Sequence, residues 1–152
     1  MNKHDTIFVA GHKGLVGSAI VRALTDKGYT NIITRNRQQC DLTNPIHVRQ
    51  LFQENEIDYV FDAAARVGGI HANDKYSAEF IYQNTMIQTN LIHYAYKYFV
   101  KKFCFLGSVC IYPKFAETPV KEESILCGEL EPTNEGYAIA KIHGIEMLKM
   151  YN

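Results

Sequence analysis

Tryptophan is absent from the 152 residues, proline and cysteine occur only four times each, and neither sign of charge is in excess. Lysine plus arginine number 16 and aspartate plus glutamate 16, so the formal net charge at pH 7 is zero. A protein that grips nucleic acid by neutralising phosphates carries a basic surplus, and its lack argues against that class. No apolar run approaches the ~20 residues that cross a bilayer. The opening Met1-Asn-Lys-His-Asp5 leads directly into a short apolar run and then glycines, without the h-region and small-residue cleavage site of a secretory signal. No pair among Cys40, Cys104, Cys110 and Cys127 has C-x-x-C spacing, so neither a zinc site nor a thioredoxin motif is expected. A core of this size needs no disulfides, and a reducing cytoplasm is the expected compartment. What is present is 47% hydrophobic and 21% charged, the composition of a folded domain and not of a disordered tail. The length suits one domain with a sizeable core and is too short for two.

Strand and helix patterns alternate along the chain. Thr6-Ile-Phe-Val-Ala10 is β-branched and aromatic, as a buried strand requires. It ends at Gly11-His-Lys-Gly14-Leu-Val-Gly17, after which a helix is expected with Val16, Ile20, Ala23 and Leu24 on one face and Gly28 at its C-terminal cap. Asn31–Arg35 is a second strand, completing a βαβ unit. Asn44-Pro45 predicts an N-cap and first helical position for a helix running to about Asn55. Ile57–Asp62 is the next strand, positions 74–99 a long helical stretch in one or two pieces, and Lys102–Gly107 a fourth strand. Positions 113–136 read as a loop, and Tyr137–Tyr151 as a helix. Near-continuous apolar strands alternating with helices predict an α/β fold, a doubly wound parallel sheet of the Rossmann, NAD(P)-binding kind. Ligands in such sheets bind beyond the carboxyl ends of the strands, at the switch point.

Four constellations carry chemistry. The first is Gly11, Gly14 and Gly17 between strand and helix, where glycine permits a tight turn and close approach of a pyrophosphate to helix N–H groups. The G-x-x-G-x-x-G spacing points toward short-chain dehydrogenase/reductase-like proteins. His12 in this turn is a candidate phosphate contact, and Lys13 adds a positive charge. The second is Arg35-Asn36-Arg37 after strand two, where an NAD site usually places an acid; arginine suits a 2′-phosphate, so NADP is favoured. Asp41 and Leu42 are placed beside the adenine, the aspartate accepting from its amino group. The third is Tyr137-x-x-x-Lys141, one helical face on which an ammonium favours the phenolate and lowers the pKa of a phenol otherwise near 10. Ser108, following a strand, would hydrogen-bond a substrate carbonyl oxygen. The fourth is Cys110, whose thiolate could take a proton from the carbon beside a ketone. Cys104 reads as a small core residue, and Cys40 and Cys127 receive no role. His71 follows Val67-Gly-Gly-Ile70, a loop suited to covering the nicotinamide. His4, His47, His93 and His143 show no partner, and no spacing suggests a metal site.

Five segments in register resemble the GDP-L-fucose synthase family, a branch of the extended short-chain dehydrogenases/reductases. They are Gly11–Ile20, Ala63-Ala-Ala-Arg-Val-Gly-Gly-Ile70, Phe80-Ile-Tyr-Gln-Asn84, Phe105-Leu-Gly-Ser-Val-Cys-Ile-Tyr-Pro-Lys114 and Glu131-Pro-Thr-Asn-Glu-Gly-Tyr-Ala-Ile-Ala-Lys141. The resemblance implies NADPH-dependent 3,5-epimerisation and 4-reduction of GDP-4-keto-6-deoxy-D-mannose. It makes Ser108, Tyr137 and Lys141 the reductase triad and Cys110 the acid–base of epimerisation. It adds Leu15, Val16, Ala63, Ala64, Ala65, Leu106, Gly107 and Lys141 to the cofactor contacts. Lys13 stands where the family often has arginine, Val109 where it has serine, and Gly136 where it has proline; Gly136 is expected to loosen the start of the last helix.

The family's chains are much longer. The resemblance therefore implies that residues 1–152 are an NADP-binding domain incomplete at its C-terminal edge, with the substrate domain absent and no turnover by this chain alone. It also implies a homodimer of the longer protein through helices near 74–99 and 137–151. A sugar-nucleotide dehydratase or 4-epimerase of the same superfamily remains an alternative, although a dehydratase would place acidic residues after Ser108. A non-catalytic dinucleotide-binding module is the other.

Overall fold

A computed structural model describes residues 1–151 and divides into two compact units. The first comprises Met1–Ala65, Met86–Leu106 and Tyr151; the second comprises Arg66–Thr85 and Gly107–Met150.

The first unit holds a four-stranded parallel sheet, β1 (Ile7–Ala10), β2 (Ile32–Ile33), β3 (Tyr59–Asp62) and β4 (Lys102–Phe105), in the order β2-β1-β3-β4. The chain leaves β1 toward β2 and then returns to pair β3 on the other side of β1, which puts the switch point between β1 and β3. The predicted doubly wound fold is borne out by the two sets of buried side chains. Ile7 and Val9 point to one side, against Leu24, Ile20 and Val21 of α1 (Leu15–Asp26). Phe8, Ala10 and Val60 join the other set, with Val48, Leu51 and Phe52 of α2 (Pro45–Glu54) and Leu91 and Ala95 of α4 (Ser77–Lys97). The alternation of the pleat thus feeds two cores, and every residue of β1 is buried.

The inward face of α1 differs from expectation, whereas Gly28 closes its C-terminus as expected. Its inward face is Gly17, Ile20, Val21 and Leu24, while Val16 and Ala23 are exposed. The close approach made possible by Gly17 rotates the helix so that this i, i+3, i+4, i+7 row meets the sheet. Gly28, at φ +77°, follows the C-cap Lys27 in a Schellman arrangement. Gly28 N–H donates to the Thr25 carbonyl (2.8 Å) and Tyr29 N–H to that of Leu24 (3.1 Å). The second strand is also shorter than predicted: only Ile32 and Ile33 pair with β1, and the chain leaves the sheet before Arg35. At α2 the cap forms as expected, Asn44 Oδ1 accepting from Ile46 N–H at 2.9 Å, with Pro45 in the first turn.

The amino ends of the strands are held by charge. Lys101 Nζ lies 2.9 Å from Asp58 Oδ1 and 3.2 Å from Asp5 Oδ1, and Asp58 Oδ2 accepts from Thr6 N–H at 2.8 Å.

The second unit packs α3 (Ile70–Lys75) against a helical turn at Pro132–Asn134, which leads into α5 (Glu135–Tyr151). The long helical stretch predicted over 74–99 is thus two helices, α3 and α4. The predicted loop 113–136 also carries a helical turn at Glu122–Ser124, and Lys114 ties it to its far end by an ion pair with Glu131 (2.9 Å). Gly136 does not merely loosen the start of α5. It is buried, and a Cβ there would lie 2.6 Å from Ser77 Oγ and 2.8 Å from the Ser77 carbonyl oxygen. Glycine at 136 is what lets α5 start against the backbone at Ser77.

Candidate cofactor and catalytic residues

In the first unit the glycine turn is built by steric necessity. Gly11 adopts φ +72°, a region open to glycine, and a Cβ on it would lie 2.4 Å from the Ala63 carbonyl oxygen. A Cβ on Gly17 would lie 2.2 Å from the Gly11 carbonyl oxygen, and one on Gly14 3.3 Å from it. Gly14 N–H donates to Gly11 O at 2.9 Å, closing the turn. Gly14 is also the N-cap of α1, and being glycine it offers no side chain to the first-turn N–H groups; no acidic residue stands there either. Those groups and the dipole behind them favour an anion. Leu15 and Val16 stand exposed beside them, whereas His12 is half-buried and Lys13 exposed.

The structure brings Ala63 to this turn, its N–H donating to Ala10 O at 3.2 Å. Asp62, fully buried at the end of β3, accepts from Ala64 N–H at 3.1 Å and fixes the Ala63–Ala65 segment. No role was expected for Asp62, although a lone carboxylate closing an apolar run was a visible signal. Asn90 of α4, also unforeseen, donates through Nδ2 to the Leu42 carbonyl at 2.9 Å.

The two arginines are not equivalent. Arg35 is half-buried, with Nη1 donating to the Thr34 carbonyl at 2.9 Å. Arg37 is exposed and pairs with Asp41 at 3.7 Å. Asp41 is less available than expected for an adenine amino group, because Oδ1 already accepts from the Thr43 N–H (3.0 Å) and hydroxyl (2.8 Å). Burial pushes the Asp41 carboxyl up, but the Thr43 hydrogen bonds and Arg37 together bring it below the ordinary carboxylate range.

In the second unit Ser108 lies in extended backbone just before the helical turn Val109–Ile111. Its Oγ accepts from the Cys110 N–H at a long 3.5 Å and meets Cys110 Sγ at 3.1 Å. Tyr137 and Lys141 share one face of α5, the Lys141 Nζ lying 5.9 Å from the tyrosine ring centroid. Lys141 is 3% exposed, so its ammonium is held at a defined place. Gly107 is exposed and Leu106 half-buried.

Asn84, 2% exposed, was quoted in the sequence only as part of a motif. It clamps the backbone of Arg66, accepting from its N–H at 2.8 Å and donating to its carbonyl at 3.0 Å. Asn73 similarly donates to the carbonyls of Gly68 (2.8 Å) and Gly69 (3.1 Å), shaping the loop before the exposed His71. None of the four cysteines is disulfide-bonded. Cys40 proves to be a core residue, and burial pushes its thiol up. Among the described residues no cluster of His, Cys, Asp or Glu could hold a metal, and no helix is long and apolar enough to cross a membrane.

A parallel sheet with a switch point at β1/β3, and a glycine turn opening α1 there, define a nucleotide-binding α/β domain of Rossmann type. The chain belongs to the NAD dependent epimerase/dehydratase family, which it matches over residues 7–152. It is 57% identical over 151 residues to putative GDP-L-fucose synthase 2 of Arabidopsis thaliana, covering 99% of this chain and 46% of that one. It is 51% identical over 146 residues to GDP-L-fucose synthase of Escherichia coli strain K12, covering 96% and 46%. Among solved structures, it superposes with a TM-score of 0.97 on a GDP-D-glycero-L-gluco-heptose synthase from Campylobacter jejuni determined in the presence of NADPH. That match has 41% identity and covers 100% of this chain and 44% of the other. The chain spans about half the length of the curated relatives it matches.

Proposed function

We propose that this chain is the cofactor-binding half of an NADPH-dependent GDP-L-fucose synthase. The observation that carries the reading is identity of 51–57% to proteins of that name along nearly the whole chain, together with a hydrogen-bonded Ser108–Cys110 pair and a Tyr137–Lys141 face.

The residues present fit a dinucleotide. The glycine turn is a cradle that Cβ atoms would fill, and the first-turn N–H groups of α1 are free of any side-chain cap. Gly11, His12, Lys13, Gly14, Leu15, Val16 and Gly17 would hold the pyrophosphate. Arg35 and Arg37 would take the 2′-phosphate, and Asp41 and Leu42 would flank the adenine. Ala63, Ala64, Ala65, Leu106 and Gly107 would line the rest, with Lys141 on the nicotinamide ribose. When bound, NADPH supplies a hydride to the C4 keto carbon. Tyr137 gives its hydroxyl proton to the keto oxygen, and the Lys141 ammonium favours the phenolate left behind. The Ser108 hydroxyl steadies charge developing on the same oxygen. Cys110 exchanges the protons on C3 and C5, which the neighbouring ketone acidifies. The longer protein would work as a cytoplasmic homodimer through the helices α4 and α5.

The experiment joins this chain to the C-terminal half of the Arabidopsis relative and incubates it with the GDP-keto-sugar in deuterated water. Deuterium is expected at C3 and C5, and Cys110→Ser is expected to abolish it while ketone reduction by NADPH persists. Loss of both together, or exchange undiminished by Cys110→Ser, contradicts the assignment.

A further inference from the structure

Ser108 and Cys110 are assigned above to different chemical steps, yet they are bonded to each other. The hydroxyl has one proton to donate and two lone pairs. Cys110 addresses the acceptor side twice, through its N–H at 3.5 Å and its thiol at 3.1 Å. With the thiol protonated, both contacts are received by Oγ, and the hydroxyl proton is the one hydrogen-bonding capacity left over. With the thiol ionised, sulfur can only accept, and the same proton is the only donor side chain within bonding distance of it in the pair. Hydrogen bonds to a charged acceptor are roughly twice as strong as neutral ones, so the hydroxyl turns to whichever atom carries the negative charge.

We propose that Ser108 is the positioning and acidifying residue of Cys110, its single hydroxyl proton serving the thiolate and the substrate oxygen in turn. The proposal rests on the epimerase reading of Cys110. In that reaction the thiolate takes a proton from the carbon beside the ketone; the C–H pair moves into the carbon–carbon bond of an enolate, and the negative charge moves from sulfur to the C4 oxygen. At that moment sulfur becomes a donor to Oγ again and the Ser108 proton is released to the enolate oxygen. A thiol on one face of the enolate can return a proton only to that face, so inversion takes its proton from a separate general acid on the opposite face, supplied by the longer protein or by solvent. The enolate oxygen then reverts to the ketone, and the thiol releases its proton to solvent and regains the Ser108 hydrogen bond as thiolate. No oxidant or reductant is consumed, since the proton lost from one face of the carbon is replaced by one delivered to the other.

The coupling is tested on this chain alone, with no substrate. Alkylation by iodoacetamide is followed at each cysteine by peptide mass spectrometry between pH 6 and 10 (a range on the order of two units about the ordinary thiol value). The plateau rate reports access to sulfur and the midpoint reports thiolate stability. Ser108→Ala is expected to move the Cys110 midpoint upward and slow its alkylation at pH 7 by about tenfold. Ser108→Thr, which keeps the hydroxyl, is expected to restore the midpoint, and exposed Cys127 serves as the unaffected reference. A change of plateau with an unmoved midpoint means that Ser108 merely shapes the turn, and overturns the proposal. A midpoint that Ser108→Thr fails to restore also overturns it. Failure of the epimerase reading would instead show as deuterium exchange without Cys110, which this assay does not measure, so the two failures are distinct.

Discussion

At the scale of single residues, glycine carries much of what was legible. Gly11 and Gly17 could be recognised because a backbone turn against another backbone leaves no space for Cβ, and that requirement is met by one residue type. The structure makes it quantitative. Gly17→Ala, whose Cβ would sit 2.2 Å from Gly11 O, is expected to lower the melting temperature and to weaken dinucleotide binding more than tenfold. Unchanged binding in a titration would show that the turn has room to spare. Gly136 was legible only as a departure from a family's proline. Its meaning depends on Ser77, 59 positions earlier in the chain (136 − 77) and invisible as a neighbour in sequence. Gly136→Ala is expected to destabilise by about 1–3 kcal/mol, the usual range for overpacking, as read by urea denaturation. The engagement of Asp41 with Thr43 and Arg37 was equally hidden, since an Asx-type turn and an ion pair between neighbours leave no signature distinct from a free carboxylate.

At the scale of elements, existence and order were readable and edges were not. The β1–turn–α1 unit and the Asn44-Pro45 cap are local, and local propensity determined them. The inward face of α1 was misjudged because Val16 fits an apolar face equally well on pattern alone; the contact at Gly17 decides the rotation. β2 is the edge strand of the sheet, paired with β1 on one flank through Ile32 and Ile33. Asn84 and Asn90 could not be foreseen, for their partners are backbone groups 18 and 48 residues away. Asn44→Ala is expected to cost about 1 kcal/mol through loss of the α2 cap, measured as a shift in the chemical denaturation midpoint with unchanged slope.

Charge at the strand ends makes a further prediction at this scale. The Lys101 ammonium, with Thr6 N–H, holds the Asp58 carboxyl below its ordinary 3.8, and the Asn2 N–H and Lys101 do the same for Asp5. Both depressed carboxyls contribute stability present above pH 3.8 and lost as the pH falls through their lower folded values. Lys101 is itself raised above 10.5 by Asp58 and Asp5, so its contribution is complete below that pH and lost as pH rises through the higher folded value. Lys101→Met is therefore expected to flatten the fall in melting temperature on the acid side. An acid limb as steep as that of the unaltered protein would contradict the role given to this cluster.

At the scale of the whole molecule, the sheet order β2-β1-β3-β4 places the switch point where the glycine turn lies, and the two faces of β1 anchor separate cores. Leu91, fully buried in the larger core, is expected to cost about 2–5 kcal/mol on truncation to alanine, a loss that thermal unfolding would read directly. The central claim concerns the cofactor, because the proposed reductive step depends on NADPH being held by this chain. The direct measurement is equilibrium titration of the chain with NADPH and with NADH, followed by nicotinamide fluorescence, before and after Arg35→Ala and Arg37→Ala. NADPH is expected to bind at least about tenfold tighter than NADH, as a charge-assisted contact to the 2′-phosphate would give, and the advantage is expected to fall when the arginines are removed. Equal affinity for the two cofactors, or a preference untouched by both substitutions, would contradict it.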